Sequence, residues 1–181
     1  MLKDQIATFE KVSFEQFKQD TSSCMYNEAY CREIYDNIKL PSRATSGSVG
    51  YDFYLPSDLI LLPGQAVIIP TGIRCKMEEG YSLDIYPKSG LGFKFFTTIA
   101  NTVGIIDADY YGSDNEGHIM VKIINQGFNI DTAVSGSTIK TLERKAGESF
   151  VQGIFHECFG ATNDNDNNEM KIRNGGFDST R

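Results

Sequence analysis

The chain has 181 residues, 40% of them hydrophobic, with 17 Lys and Arg against 24 Asp and Glu. That length supports one domain with its own core. The formal charge of −7 excludes a general nucleic-acid surface, which needs a basic patch, but not a small phosphorylated ligand held by a few local cations. No apolar run is long enough to span a bilayer, and the first residues carry no signal-peptide pattern, so no membrane partner and a cytoplasmic location are expected. The cysteines, Cys24, Cys31, Cys75 and Cys158, are dispersed and read as reduced core thiols. The two histidines, His118 and His156, do not make up a zinc-ligand set with them.

Taken in order, residues 6–14 have strand character, and residues 15–20 suit a helical turn. Across 27–38, Tyr30, Ile34 and Ile38 recur every four residues, which predicts an amphipathic helix docked on the body of its own domain. Residues 40–54 are small and glycine-bearing and end in Tyr51-Asp52-Phe53-Tyr54. There Asp52 alternates with apolar neighbours and points away from the side they cover.

From residue 59 the chain becomes a series of short strands with turn punctuation. Runs at 59–62, 66–70, 72–77 and 81–86 are separated by Pro63-Gly64 and by Glu78-Glu79-Gly80. Many short strands with regular turns mean an all-β sandwich or barrel. Pro87-Lys88-Ser89-Gly90 breaks the rhythm. It reads as a turn whose N–H groups, cation and hydroxyl make a phosphate cradle.

Residues 103–106 read as a short buried strand, and 118–125 as its half-buried return arm. The resulting hairpin carries Asp107 at the end of its first arm and Tyr110 three residues on. A carboxylate fixed beside apolar walls can act as a base on water. Further strands are expected at 139–144 and 149–155, the last carrying Gln152, which needs a hydrogen-bond partner in an apolar run. From Gly160 the composition turns to Asn and Asp, the signature of a flexible linker. Beyond it, Arg173, Phe177, Ser179 and Thr180 suit an arm that closes over a ligand, Phe177 on a ring and the others on phosphate. The expected organisation is an N-terminal extension over 1–39, a β domain over 40–159 and a C-terminal arm over 160–181.

With these residues laid out, the chain resembles the trimeric dUTP pyrophosphatase (dUTPase) family. Five segments match the family's five motifs in order: Gly50-Tyr51-Asp52; Pro87-Lys88-Ser89-Gly90; Gly104 to Tyr110, the most specific; Gly147 to Gln152; and Gly175 to Thr180. The resemblance implies an all-β, jelly-roll-like distorted barrel that forms a homotrimer, with each active site built from all three chains. It implies hydrolysis of dUTP to dUMP and pyrophosphate. Asp107 is then the general base for a water that attacks the α-phosphorus, and Tyr110 packs beneath the deoxyribose. Uracil is read by main-chain groups of the hairpin at Gly104, Ile105, Ile106 and Met120, with Asn101 in support.

Lys88, Ser89, Gly90 and Gln152 map onto phosphate contacts. Asp52 maps onto the waters of an Mg²⁺ ion that the triphosphate itself largely holds. The chain departs from the family's usual pattern at three places: Lys88 and Ser149 stand where Arg is usual, and Asp178 where Gly is usual. Ser113 to Gly117 also lengthens the hairpin loop. Competing readings are a dCTP deaminase-related enzyme, a nucleotide-responsive binding protein on the same scaffold, and a purely structural trimer.

Overall fold

In a computed structural model, which describes residues 5–21, 27–127 and 140–162, the alternating segments form short antiparallel strands in four small sheets. The chain opens with β1 (Ala7–Lys11), α1 (Phe14–Asp20) and α2 (Glu28–Asp36). Ser13 caps α1 by accepting the Gln16 N–H, and Asn27 caps α2 by accepting the Tyr30 N–H. The buried stripe of α2 is Cys31 and Ile34, continued by Ile38 beyond its end, whereas Tyr30 is exposed. Cys31 is disulfide-bonded, which corrects the reading of all four cysteines as reduced. Cys75 is free, and burial pushes its thiol up to about 12.

The strands that follow are β2 (Tyr51–Tyr54), β3 (Leu59–Leu61), β4 (Ala66–Pro70), β5 (Ile73–Met77) and β6 (Tyr81–Pro87). After α3 (Ser89–Phe95) come β7 (Thr97–Ile99), β8 (Gly104–Asp107), β9 (Met120–Asn125), β10 (Leu142–Arg144) and β11 (Ser149–Glu157). The largest sheet has the order β2-β11-β6-β8, and a second has β4-β9-β7. The pairs β1-β5 and β10-β3 complete the set. This is the expected distorted β fold, although the described strands form separate sheets and not one closed barrel. Among the described residues, no helix is long and apolar enough to cross a membrane.

Phe53, Leu83, Ile85, Phe150 and Val151 point into the core from the inner face of the largest sheet and are almost fully buried. Side chains of this kind each contribute roughly 1.5–3 kcal/mol on burial. Phe9 of β1 closes that core, with its ring 5.7 Å from Phe53 and 5.3 Å from Tyr51.

Two expectations change. The arms at 103–106 and 118–125 do not pair with each other: β8 pairs with β6, whereas β9 pairs with β4 and β7. Alternation shows which face of a strand is buried and not which strand lies beside it. Nor is β8 buried, because it is the edge strand and Ile105 is 62% exposed. The second change is at 89–95, where the expected turn is a seven-residue helix. Its two glycines disfavour helix. Burial of Leu91 and a left-handed cap at Phe96, whose N–H bonds the Gly92 carbonyl, outweigh that propensity.

Candidate active site

The phosphate-side residues gather at the Pro87 end of β6. Lys88 follows that strand and caps α3. Its Nζ donates to both oxygens of Asp52, at 2.8 Å each, and to Ser149 Oγ at 3.0 Å. All three groups are partly buried, so the ion pair is less screened than a surface one. Gln152 stands beside them, because register sets it opposite Asp52 on β2 and opposite Tyr86 on β6.

Gly50 makes room for that glutamine: a Cβ there would lie 2.7 Å from Gln152 Oε1. Ser89 and Gly90 are exposed at the start of α3, in the turn whose N–H groups have no partner inside a helix. Arg43 does not join this group through the Nη1 it commits locally, which donates to the carbonyls of Ser46 and Ser48 at 2.9 and 3.1 Å.

The carboxylate side lies at the other end of the same strand. Asp107, on β8, is exposed and sits opposite Ser82. An outward polar row continues from the buried Ser82 through the half-buried Asp84, which accepts from Ser82 Oγ at 2.9 Å, to Tyr86 and His156, whose Oη and Nε2 are 3.3 Å apart. Ser82, Asp84 and His156 were not among the sequence candidates. The outward alternation of Ser82 and Asp84 along 81–87 was visible, but their register against β8 and the approach of His156 from β11 were not.

Gly104, Ile105 and Ile106 form the rest of this edge strand, and an edge presents backbone N–H and C=O groups to a ligand or another chain. Asn101 supports the turn that leads in: its carbonyl accepts the Val103 N–H at 2.7 Å, and its Nδ2 lies 4.0 Å from the Cβ position of Gly104. Thr102, between them, holds a left-handed φ of 67°.

Tyr110 lies in a 3₁₀ turn, Ala108–Gly112, that follows Asp107 directly. The residue is 5% exposed. Its hydroxyl donates to the His118 carbonyl at 2.9 Å and accepts from Asn115 Nδ2 at 2.8 Å. A sugar can therefore meet only a small part of the ring within this chain. Met120 opens β9 in the other sheet and lines a cavity of about 600 Å³ with Phe17, Ile34, Leu55 and Ile69. The fold thus gives Met120 no strand pairing with Ile105. Arg173, Phe177, Ser179, Thr180 and Asp178, with the rest of the expected arm beyond 162, lie outside the described residues.

The two groups are far apart within one chain. Asp107 is level with Ser82 and Lys88 is six residues further on, so at about 3.3 Å per strand residue they are separated by roughly 20 Å along β6. One chain thus offers an exposed carboxylate at one end of a strand and a cation-hydroxyl-amide cluster at the other.

A distorted antiparallel β protein with a carboxylate edge and a separate cation-hydroxyl end is the class these features define. The dUTPase family model matches residues 36–181, and the chain belongs to that family. It is 35% identical to the deoxyuridine 5'-triphosphate nucleotidohydrolase of Lactococcus lactis, over 79% of this chain and 88% of the relative. The crystal structure of a dUTPase from Streptococcus mutans superposes with a TM-score of 0.60 at 28% identity, covering 84% of this chain and 97% of that one. A mutant dUTPase of the S. aureus phage phi11, described with a coordinated structural Mg(II) ion, shares the fold at a TM-score of 0.54 and 21% identity, covering 70% of this chain and 88% of that one.

Proposed function

We propose that this protein hydrolyses dUTP to dUMP and pyrophosphate, in active sites that two or more copies of the chain build together. Asp107 takes a proton from a water, which attacks the α-phosphorus, and the pyrophosphate leaves with the bridging oxygen. Lys88, Ser89, Gly90 and Gln152 hold the phosphates. The edge strand Gly104–Asp107 reads uracil through its backbone, where one fixed pattern of N–H and C=O fits uracil and leaves buried groups unpaired against cytosine. Tyr110 limits the space around the sugar.

The observation that carries this reading is the separation along β6. A carboxylate roughly 20 Å from the phosphate cluster cannot serve the same nucleotide in one chain. A symmetric assembly that brings the Ser82 end of one subunit against the Pro87 end of another removes the conflict, and a homotrimer is the form we propose. The arm residues Arg173, Phe177, Ser179 and Thr180 close over the bound nucleotide in this scheme.

Magnesium fits the donor set in one way only. Among the described residues there is no cluster of three His, Cys, Asp or Glu side chains that could hold a metal. A single partly buried carboxylate at Asp52 suits an ion that arrives on the triphosphate and keeps its waters. Mg²⁺ supplies charge neutralisation of the phosphate oxygens when bound. Asp52 would hold the waters of that ion, the role for which its carboxylate is suited beside Lys88.

Pyrophosphate release with dUTP, UTP, dCTP and dTTP in the presence of Mg²⁺ tests the assignment. The expected result is turnover of dUTP with little on the other three. Comparable rates on dUTP and UTP would defeat it.

A further inference from the structure

Residues 7–20 lie outside the stretch that matches the family model, yet they make close contacts with the loop that follows the active-site turn. We propose that this N-terminal segment is a positioning element for Tyr110, with Ser13 and Asp20 clasping the loop 113–118 at two points. The inference rests on the reading of the chain as a dUTP-hydrolysing enzyme and gives its N-terminal segment a role.

Tyr110 is held from within the loop. Its hydroxyl bonds the His118 carbonyl and Asn115 Nδ2, and its own carbonyl accepts the Ser113 N–H at 3.0 Å. Wherever 113–118 moves, the tyrosine hydroxyl loses its partners. The loop does not hold this shape through backbone preference. Glu116 sits at φ 59° and Gly117 at φ 70°, and a left-handed conformation is uncommon for a residue with a Cβ. A Cβ at 117 would lie 2.7 Å from Tyr111 Cα, so glycine is required there, whereas Glu116 must be held from outside.

Ser13 does the holding. Its N–H and its hydroxyl both donate to the Glu116 carboxylate, at 2.7 and 2.6 Å. Bonds to an ionised acceptor are the short, strong kind. Burial pushes the Glu116 carboxyl up, but these two bonds and the charge of Arg74 outweigh it and keep the group below its ordinary range. The second grip is at the far end of the loop. Gly72 donates its N–H to His118 Nε2 at 2.8 Å, so the ring proton is on Nδ1 and is donated to Asp20 at 2.6 Å. Gln16 donates to the same Asp20 oxygen at 2.8 Å and fixes it at the end of α1. Phe17, fully buried, anchors α1 to the body, so the two grips have a rigid support.

A third contact runs parallel to these. Tyr111 donates to Glu10 on β1 at 2.8 Å, with the Arg74 guanidinium 3.6 Å above its ring. The residue next to Tyr110 is thus also fixed by the N-terminal segment.

The test is the preference for dUTP over UTP, expressed as the ratio of the two kcat/KM values, in full-length Glu116→Ala, Ser13→Ala and Asp20→Ala. Tyr110 is the residue that limits room for the 2′-hydroxyl, so loosening it should lower the ratio about tenfold, well within the ~10²-fold that a 1 Å misplacement can cost. The loss should lie in the KM for dUTP more than in kcat. Ser13→Thr and Asp20→Asn keep a donor and an acceptor in place and should retain most of the parent ratio. A brace with no part in the site would change the folded fraction, and with it the kcat on both substrates equally, leaving the ratio untouched. Unchanged ratios in folded Glu116→Ala and Ser13→Ala would overturn the proposal even if Asp20→Ala fails to fold. A parent protein with no preference for dUTP would instead sink the functional reading beneath it.

Discussion

The two ends of β6 are built on different physical plans. At the Pro87 end, Lys88, Asp52 and Ser149 come from three elements and satisfy one another, with Gln152 beside them on the central strand β11. At the Ser82 end, Asp107 stands on an edge strand with one paired side, followed by a 3₁₀ turn whose loop is held by the N-terminal segment. The first end is a closed set of charges, which in the proposed scheme a phosphate opens. The second is an exposed backbone edge, and the loop beyond it is held by the N-terminal segment. An anion site can be prebuilt from its own counter-ions, whereas a site that reads a base through its backbone needs an open edge.

The largest effect should come from the exposed end. Asp107→Asn keeps the shape and cannot take a proton, so kcat on dUTP should fall by at least ~10²-fold with KM within a few-fold. Steady-state pyrophosphate release checks it, and a variant near the parent rate would move the chemistry away from the edge strand.

A mixing experiment sharpens the separation itself. Subunits carrying Asp107→Asn and subunits carrying Lys88→Ala, co-assembled, should recover turnover at the parent's low KM, at dUTP concentrations where neither variant turns over appreciably alone. Random assortment gives about a quarter of the sites an intact carboxylate from one chain and an intact cradle from another. No recovery in verified mixed assemblies would mean that both ends serve the same nucleotide within one chain.

Lys88→Ala by itself should act more mildly than the loss of the base. A hydrogen bond to a charged group contributes about 1.5–3 kcal/mol, so the KM for dUTP should rise about tenfold or more while kcat changes less. Thermal unfolding of the same variant reads the other consequence, since Asp52 is left as a partly buried carboxylate without its cation. A KM equal to that of the parent would show that the closed charge set is structural only.

The strand rhythm was legible because turn residues and alternation are local. The strand 66–70 was readable to the residue, and 81–87 to within one. Asp52 was legible as an outward-facing acid for the same reason. Its union with Lys88 and Ser149 was not, because it joins positions 36 and 61 residues from Lys88. The exposure of Asp107 was missed because an edge strand and a buried strand of four apolar-rich residues have the same sequence pattern. The half-buried return arm was expected to begin at residue 118, but β9 begins two residues later and His118 is fully buried. Its partners, Asp20 and Gly72, are 98 and 46 residues away, beyond the reach of any local pattern.

That histidine gives the smallest and most specific expectation, a pH dependence of stability. Burial lowers the His118 pKa, against the hydrogen bond and charge of Asp20 and the charge of Glu116, the carboxylates that act on it. Gly72 occupies Nε2 with its N–H, so a second proton must break that bond. The folded protein therefore keeps the ring neutral where the unfolded chain, with an ordinary value of about 6.5, takes up a proton. A lowered folded value means that the unfolded state binds more protons, so stability rises with pH through this window. The contribution is complete above about pH 6.5 and is lost as pH falls toward the folded value. The melting temperature of the parent should decline between pH 7.5 and 5.5 more steeply than that of His118→Gln, in which nothing titrates at this position. The variant should start lower, since it gives up bonds to Asp20 and Gly72 that cost about 1–3 kcal/mol for each buried group left unpaired. A parent that grows more stable as the pH drops below 6.5 would mean that the ring takes up its second proton while folded, and that Asp20 holds it as a charged pair.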